Sequence, residues 1–280
     1  MPVWAAALLS VFGLSLASLA GALTLSLGRV RLERVIFLLV AFAVGAMLGG
    51  AVLHLIPESY EALGDGPQTG LLVLGGVLAF FVLEKFLHWR HQHGAPEAIA
   101  GATGHSHAHV HGPPPDGGTH AAPPAGEGGA APFALVALMG SVAHNLIDGA
   151  IVAAAYLVSF QTGVVTTLAV MLHEIPQEIG NFGVLVYGGY PPRRALLYNF
   201  AAGLAGLVGA ALVLVLGTRI EGLADGLLPV TAGAFLYIAG SDLIPELNRR
   251  HSYPATKAVG QLVMMLLGIA LMALPLLWEG

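Results

Sequence analysis

Long apolar stretches separated by short polar connections dominate the sequence. A helix that crosses a bilayer needs about 20 consecutive, mostly apolar residues. Eight stretches meet this requirement and are predicted as transmembrane helices, at residues 3–28, 34–60, 69–92, 132–158, 162–187, 192–217, 227–247 and 255–278. The predicted fold class is therefore an all-α polytopic membrane protein with eight transmembrane helices in one membrane domain.

A different composition separates the third predicted helix from the fourth. Residues 94–131 are rich in Gly, Pro, Ala and His and lack apolar periodicity, so they are predicted to form a disordered, His-rich loop. This loop divides residues 1–93, with predicted helices 1–3, from residues 132–280, with helices 4–8. No basic segment precedes the first apolar stretch, which is therefore predicted to be a spanning helix and not a cleaved signal peptide.

Basic residues are distributed unevenly between the two sides of the predicted membrane domain. Ten of the eleven Lys and Arg residues lie in or beside the loops that follow helices 1, 3, 5 and 7, whereas Arg219 lies on the opposite side. Because cytoplasmic loops carry the excess of Lys and Arg, both termini are predicted to lie outside and the His-rich loop in the cytoplasm.

A short repeat links the second predicted helix to the seventh. Leu55–Glu58 and Leu243–Glu246 both read Leu-Ile-Pro-Glu. Helices five apart in an alternating chain run in opposite directions, so the match predicts inverted-repeat character, which is typical of secondary transporters. Polar residues at these two places are predicted to attract a cation at the mouths of a path, or else to be interfacial groups in contact with water. The candidate entrance residues are His54 and Glu58, and the candidate exit residues are Asp242 and Glu246.

Two apolar stretches carry ionisable residues near their middle, where such groups are costly and usually mark an ion or substrate path. On the fourth helix His144 and Asp148 share one face at i and i+4, and His173 and Gln177 repeat this spacing on the fifth. Imidazoles, carboxylates and amides brought together form a ligand set for a divalent transition metal. The alternative is that these residues only form hydrogen bonds that hold helices together. That role would explain a single polar residue, but seven in two short windows are too costly for packing alone. The candidate metal-binding residues are His144, Asn145, Asp148, His173, Glu174, Gln177 and Glu178.

The composition supports the membrane assignment and restricts the metal ligands. Of 280 residues, 56% are hydrophobic and 10% are charged, against about 25% charged in soluble domains. The absence of cysteine from the sequence excludes disulfides and thiolate ligands. There is no basic patch that indicates nucleic-acid binding.

Histidines alternate with small residues inside the predicted loop. A flexible tract of this kind is a low-affinity metal binder, suited to sensing, buffering or delivery, because it cannot hold a fixed coordination geometry. The alternative is a featureless spacer. The residues are His105, His107, His109 and His111.

The two polar windows resemble the fourth- and fifth-helix signatures of the ZIP (Zrt/Irt-like protein) family of metal transporters. The windows read His-Asn-x-x-Asp-Gly at His144–Gly149 and His-Glu-x-Pro-Gln-Glu at His173–Glu178. The eight spans, the outside termini, the His-rich loop and the segment His54–Glu58 are similar to that family too. The resemblance implies import of a divalent metal, chiefly zinc and in some members iron, manganese or cadmium, through a site between helices four and five. It places six of the seven candidates on liganding positions, and Glu178 extends the motif.

Three features depart from the family pattern. Gln177 stands where the most similar subgroup has a second His, and Asn181 stands where that subgroup commonly has Asp. The sixth span has no carboxylate where some members supply one, and it offers Asn199 instead. These departures favour one primary metal site over a full binuclear pair.

Two other function classes stay open at this point. An intramembrane zinc metalloenzyme would use a His-Glu-x-x-His helix, but His173–Gln177 fails at its last residue and contains a proline. A metal sensor that binds without transporting is the third class.

The predicted function is thus membrane transport of zinc or another divalent metal into the cytoplasm, without enzymatic activity and without a catalytic cofactor. The predicted partners are divalent metal ions and the lipid bilayer, with a homodimer as a candidate assembly and no nucleic acid. The predicted location is a cell membrane with multiple crossings, favouring a bacterial inner membrane over a eukaryotic one.

Overall fold

The structure, a computed structural model, describes residues 2–22, 29–94, 132–248 and 255–278, and these ranges are built from helices. The α-helices are numbered here in chain order as α1 (Val3–Ala17), α2 (Arg29–Gly50), α3 (Ile56–Leu63), α4 (Pro67–Gly94), α5 (Pro132–Val158), α6 (Phe160–Tyr187), α7 (Pro192–Gly203), α8 (Ala205–Gly217), α9 (Leu223–Tyr237), α10 (Ile244–Asn248) and α11 (Ala255–Ala273). The prediction of an all-α chain is confirmed for these ranges.

Six helical stretches in the described ranges are long and apolar enough to cross a membrane. They coincide with the first, second, fourth, sixth, seventh and eighth predicted spans: Val3–Ala22, Arg34–Leu63, Ala137–Val158, Pro192–Gly217, Leu223–Asn248 and Ala258–Leu277. At the third predicted span, α4 has a shorter apolar part, Pro67–Leu83. At the fifth, α6 carries the polar residues of His173–Glu178 in its middle, and these lower its hydropathy. The chain is thus a polytopic membrane protein, and the count of eight spans stays a prediction.

Several predicted spans are interrupted by a change of helix type. α1 continues into a 3₁₀ turn at Ser18–Ala22, and α11 continues into another at Leu274–Trp278. The sixth predicted span is divided at Leu204 into α7 and α8. Glycine has low helix propensity, and Gly203 lies directly before this division.

The second and seventh spans share one irregularity at the repeated Leu-Ile-Pro-Glu motif. In the second span the Ile56 N–H donates to the Ala51 carbonyl, and in the seventh the Ile244 N–H donates to the Ala239 carbonyl. Such i to i+5 bonds define a widened π turn. The proline that follows has no N–H and its ring excludes the carbonyl four residues earlier, which favours this widening. The two π turns are Ala51–Leu55 and Ile238–Leu243.

Glycines bring pairs of helices into backbone contact. A Cβ atom at Gly149 of α5 would lie 1.9 Å from the carbonyl oxygen of Gly206 on α8, and one at Gly209 would lie 1.8 Å from the Leu146 oxygen. Small residues permit this close approach in membrane helices. Similar contacts join α2 to α11 and α4 to α9, through Gly45, Gly268, Gly76 and Gly233.

The buried core lies between these helices, and the outer faces are apolar. Met47, Leu214 and Phe235 belong to the largest buried cluster. Large aliphatic side chains on the outside are well exposed, for example Leu71 and Leu78 of α4 at 65% and 62%. An apolar outer surface of this kind fits a lipid environment, which leaves the interior between the helices as the place for polar residues.

Candidate metal centre between two polar helices

The fourth and fifth predicted spans form α5 and α6, which pack along each other. Ser159 separates them and caps α6, because its Oγ accepts a hydrogen bond from the Thr162 N–H at 3.0 Å. His144 precedes this connection by nearly as many residues as His173 follows it. With a constant rise per residue, an antiparallel hairpin therefore brings the two imidazoles to the same level.

Four side chains converge at that level. His144, Asp148, His173 and Glu174 each offer one ligand atom, and these atoms all lie within 4.8 Å of one another. The Nε2 atom of His144 is 3.4 Å from Asp148 Oδ2 and 3.3 Å from Glu174 Oε1. The Nε2 atom of His173 is 3.2 Å from the same Asp148 oxygen and 3.8 Å from Glu174 Oε1. Ligands of a tetrahedral zinc ion stand about 3.3 Å apart, so the observed separations suit one four-coordinate ion.

The converging atoms are shielded from water and lack hydrogen-bond partners among the described residues. His173 and Glu174 are 1% exposed and Asp148 is 3% exposed. Neither imidazole Nε2 nor any oxygen of the two carboxylates makes a hydrogen bond of good geometry. Buried polar groups without partners are costly, and a bound cation would satisfy these atoms together.

The second ring nitrogen of His173 orients the first toward the cluster. Its Nδ1 lies 3.3 Å from the carbonyl oxygen of Ala169. A carbonyl oxygen only accepts, so Nδ1 carries the hydrogen and donates it, which leaves the lone pair of Nε2 for a metal. The His144 ring packs edge to face against the His173 ring, with centroids 5.8 Å apart. Both contacts restrict the orientation of the imidazoles.

Two further predicted ligands bond to each other beside the cluster. The Nδ2 of Asn145 donates to Glu178 Oε1 at 3.0 Å and to the Ser141 carbonyl at 3.0 Å. Glu178 is fully buried, and its Oε2 has no partner in the described part of the chain. Ser141 was missed in the sequence analysis, although it lies four residues before Asn145 on the same face. Asn145 and Glu178 thus form a hydrogen-bonded pair next to the four-residue cluster.

The remaining amides at this level occupy separate places. Gln177 is half-buried on α6, one turn after His173. The Nδ2 of Asn181 donates to Ser141 Oγ at 3.3 Å. Asn199, which the sequence offers in place of a sixth-span carboxylate, directs its amide at two backbone carbonyls, those of Ser18 and Glu178.

The four residues predicted for the mouths of the path differ in burial. His54 is 7% exposed, and its Nε2 lies 2.6 Å from the Met272 carbonyl. Glu58 and Asp242 are half-buried, whereas Glu246 is exposed. The four-residue cluster contains none of them. The loop histidines His105, His107, His109 and His111 lie outside the described residues.

Comparison with known proteins identifies the family. A sequence profile described as ZIP zinc transporter matches residues 1–275. The chain is 31% identical to human zinc transporter ZIP13, over 84% of this chain and 69% of that protein. It is 33% identical to human zinc transporter ZIP4, over 74% of this chain and 38% of that protein. It is 28% identical to yeast zinc transporter YKE4, over 85% of this chain and 70% of that protein. The chain therefore belongs to the ZIP zinc transporter family.

Proposed function

We propose that this chain carries a divalent transition metal, chiefly zinc, across a membrane into the cytoplasm. One observation carries the proposal: ligand atoms that have no hydrogen-bond partner among the described residues converge from α5 and α6, two helices of a polytopic membrane protein. The relatives named above are all zinc transporters, which supports the same function. Because the family consists of transporters, the metalloenzyme alternative is set aside.

The ligand set favours zinc over harder ions. Two imidazole nitrogens with two carboxylate oxygens form a mixed set that suits zinc, whereas sites for magnesium or calcium use oxygen ligands. With neutral imidazoles, the carboxylates of Asp148 and Glu174 carry two negative charges, and one divalent cation balances them. Such balance matters where the surroundings are apolar and an unpaired charge is costly. In this proposal Asn145 and Glu178 support the cluster, and Gln177 is an additional candidate ligand.

The transport path runs from the outside, near His54 and Glu58, to the cluster, and then to the cytoplasm past Asp242 and Glu246. Access switches when the helices that carry the site move against the others. Close glycine contacts support such a division, since they hold α5 to α8, α2 to α11 and α4 to α9 at backbone distance. Between α2 and α6, a Cβ on Gly50 would meet Ala169 Cβ at 3.6 Å, which is an ordinary van der Waals contact.

The topology that goes with this path has eight spans, both termini outside and residues 94–131 in the cytoplasm. A chain without cysteine suits single-cysteine labelling. Ser106→Cys should resist a membrane-impermeant thiol reagent added to intact cells, whereas Glu221→Cys, after the sixth span, should react. Labelling of both positions from outside would contradict the topology.

The His-rich loop is proposed to bind metal weakly on the cytoplasmic side, as a buffer or delivery segment. Assembly as a homodimer and residence in a bacterial inner membrane stay predictions. The relatives named above come from human and yeast, so a eukaryotic membrane is the alternative.

Metal uptake into proteoliposomes tests the function. Wild-type protein is compared with Asp148→Ala and His173→Ala, using Zn²⁺, Cd²⁺, Mn²⁺ and Fe²⁺ and an internal metal-sensitive dye. Zinc flux is expected for the wild type and is expected to disappear in both variants at normal reconstitution. Tyr156→Phe is the control, since its hydroxyl bonds Ser10 Oγ at 2.8 Å, two turns beyond Asp148 on α5. Binding of zinc without flux of any metal would favour the sensor, and wild-type flux in both variants would refute the site.

A further inference from the structure

Asn199 makes two hydrogen bonds to the backbone of neighbouring helices. It is fully buried on α7. Its Nδ2 donates to the Ser18 carbonyl, directly after α1, at 3.1 Å and to the Glu178 carbonyl of α6 at 3.2 Å. The amide oxygen, Oδ1, has no hydrogen-bond partner in the described ranges. The amide NH2 group of Asn199, and not its oxygen, therefore bonds to the neighbouring helices.

The Glu178 carbonyl, to which Asn199 donates, lies just past a proline that interrupts the backbone hydrogen bonding of α6. Pro176 stands inside this helix. It has no N–H to donate to the Leu172 carbonyl, and its ring pushes that carbonyl away. The broken turn contains His173 and Glu174. Where the helical ladder loses a bond, the position of the following turn depends more on contacts with other helices.

Glu178, two residues past the proline, is held from two sides. Its side-chain Oε1 accepts from Asn145 of α5 at 3.0 Å, and its backbone carbonyl accepts from Asn199 of α7. Glu178 follows Glu174 by four residues, so the two carboxylates lie on one face of α6. The contacts at Glu178 therefore contribute to how the polar face of α6 meets the polar face of α5.

We propose that Asn199 is a positioning residue for the metal centre. It ties the turn after Pro176 to the end of α1, and so keeps His173 and Glu174 opposite His144 and Asp148. Asn199 does not bind the metal; its effect passes through the backbone of Glu178. This inference rests on the proposed transport function. Loss of partners outside the ligand shell typically changes metal affinity or activity about 10- to 100-fold.

The first test compares Asn199→Ala with Tyr156→Phe. Zinc uptake gives KM and the maximal rate per folded protein, and the melting temperature is measured without metal. Asn199→Ala is expected to raise KM or to lower the maximal rate about tenfold or more. Tyr156→Phe also removes a hydrogen bond between helices, about 12 Å along α5 from Asp148, and is expected to leave both kinetic values unchanged. A residue that served only packing would lower the melting temperature without changing the KM of the folded protein.

The second test uses Pro176→Ala, which restores an N–H that can donate to Leu172. If Asn199 compensates for the broken ladder, Asn199→Ala should cost less in the Pro176→Ala background than in the wild type, about threefold or below. Residues coupled through a shared backbone shift show such interaction energies, whereas independent sites add. An equal loss in both backgrounds would overturn the proposal, as would wild-type kinetics for Asn199→Ala.

Asn199→Leu serves if the alanine variant does not fold, because it keeps a similar volume and removes the donor group without adding a carboxylate that could itself bind zinc. For it the readout is the rise in melting temperature on adding zinc in detergent, which is expected to shrink; an unchanged rise would overturn the proposal. Asp148→Ala, measured in parallel, separates the two levels of inference. Retained uptake in Asp148→Ala would refute the proposed metal site, and absence of uptake by the wild type would refute the proposed transport function. Abolished uptake there, with normal kinetics for Asn199→Ala, would remove only the positioning role.

Discussion

The Nε2 of His173 on α6 lies 3.2 Å from Oδ2 of Asp148 on α5. This contact crosses the interface between two helices, so neither helix alone holds the candidate site. The arrangement of the four ligand atoms depends on the helix spacing to within a few tenths of an ångström, because zinc–ligand distances vary little. Changes that separate α5 from its neighbours should therefore disturb metal binding even where no ligand is replaced.

Gly149→Ala is expected to abolish zinc uptake and to lower stability. The new Cβ would lie 1.9 Å from the Gly206 carbonyl oxygen, so α5 and α8 must move apart beside Asp148. Overpacking of this kind costs about 1–3 kcal/mol. Melting temperature and uptake are measured together. Gly180→Ala on α6 is the matched control, since no atom of the described residues outside its own stretch of helix lies within 4 Å of its Cβ position; an equal effect in the control would contradict the packing argument.

The two acidic residues of α6 should respond differently to neutralisation. Glu174→Gln removes a charge from the four-atom cluster and is expected to reduce uptake about 100-fold or more. Glu178→Gln retains an oxygen that can accept from Asn145, and is expected to change KM about tenfold or less. Initial rates over a range of zinc concentrations would measure both variants. Equal losses would mean that Glu178 is itself a ligand, which would restore the larger ligand set that the sequence predicts.

Gln177→His tests whether position 177 reaches the metal. An imidazole is a better zinc ligand than a neutral amide oxygen. If the side chain contacts the ion, uptake of Zn²⁺ and Cd²⁺ should rise relative to Mn²⁺ in competition assays. Unchanged selectivity, with expression like that of the wild type, would place Gln177 outside the ligand shell.

His54→Ala separates the entrance role from a structural one. His54 Nε2 approaches the Met272 carbonyl at 2.6 Å, and Pro275, three residues later in a 3₁₀ turn, has no N–H for that carbonyl. We expect a stability loss of about 1 kcal/mol, the order measured for hydrogen bonds between membrane helices. Thermal unfolding in detergent gives this value. A raised KM with unchanged stability would instead support the entrance assignment, and Glu58→Ala provides the comparison on the neighbouring α3.

The lengths and positions of the apolar runs allowed much of the helical fold to be predicted from the sequence. The apolar run of the fourth predicted span has the bounds of α5, Pro132–Val158, because bilayer thickness and helix rise set the length. The π turns before Ile56 and Ile244 could not be predicted from the apolar pattern. The sequence indicated the repeat and the prolines, but the geometry with which a helix absorbs a proline depends on the helices packed around it.

The candidate site was likewise predicted in part from the sequence and decided in part by the tertiary structure. Spacing along one helix and the cost of polar groups in a bilayer were enough, by sequence alone, to place His144, Asp148, His173 and Glu174 among seven candidate ligands. Their convergence, the pairing of Glu178 with Asn145, the burial of His54 and the use of Asn199 on backbone carbonyls were decided only by the tertiary structure. The physical reason is that i and i+4 relationships belong to a single helix, whereas the rotation and separation of two helices follow from all the side chains and glycines that pack between them.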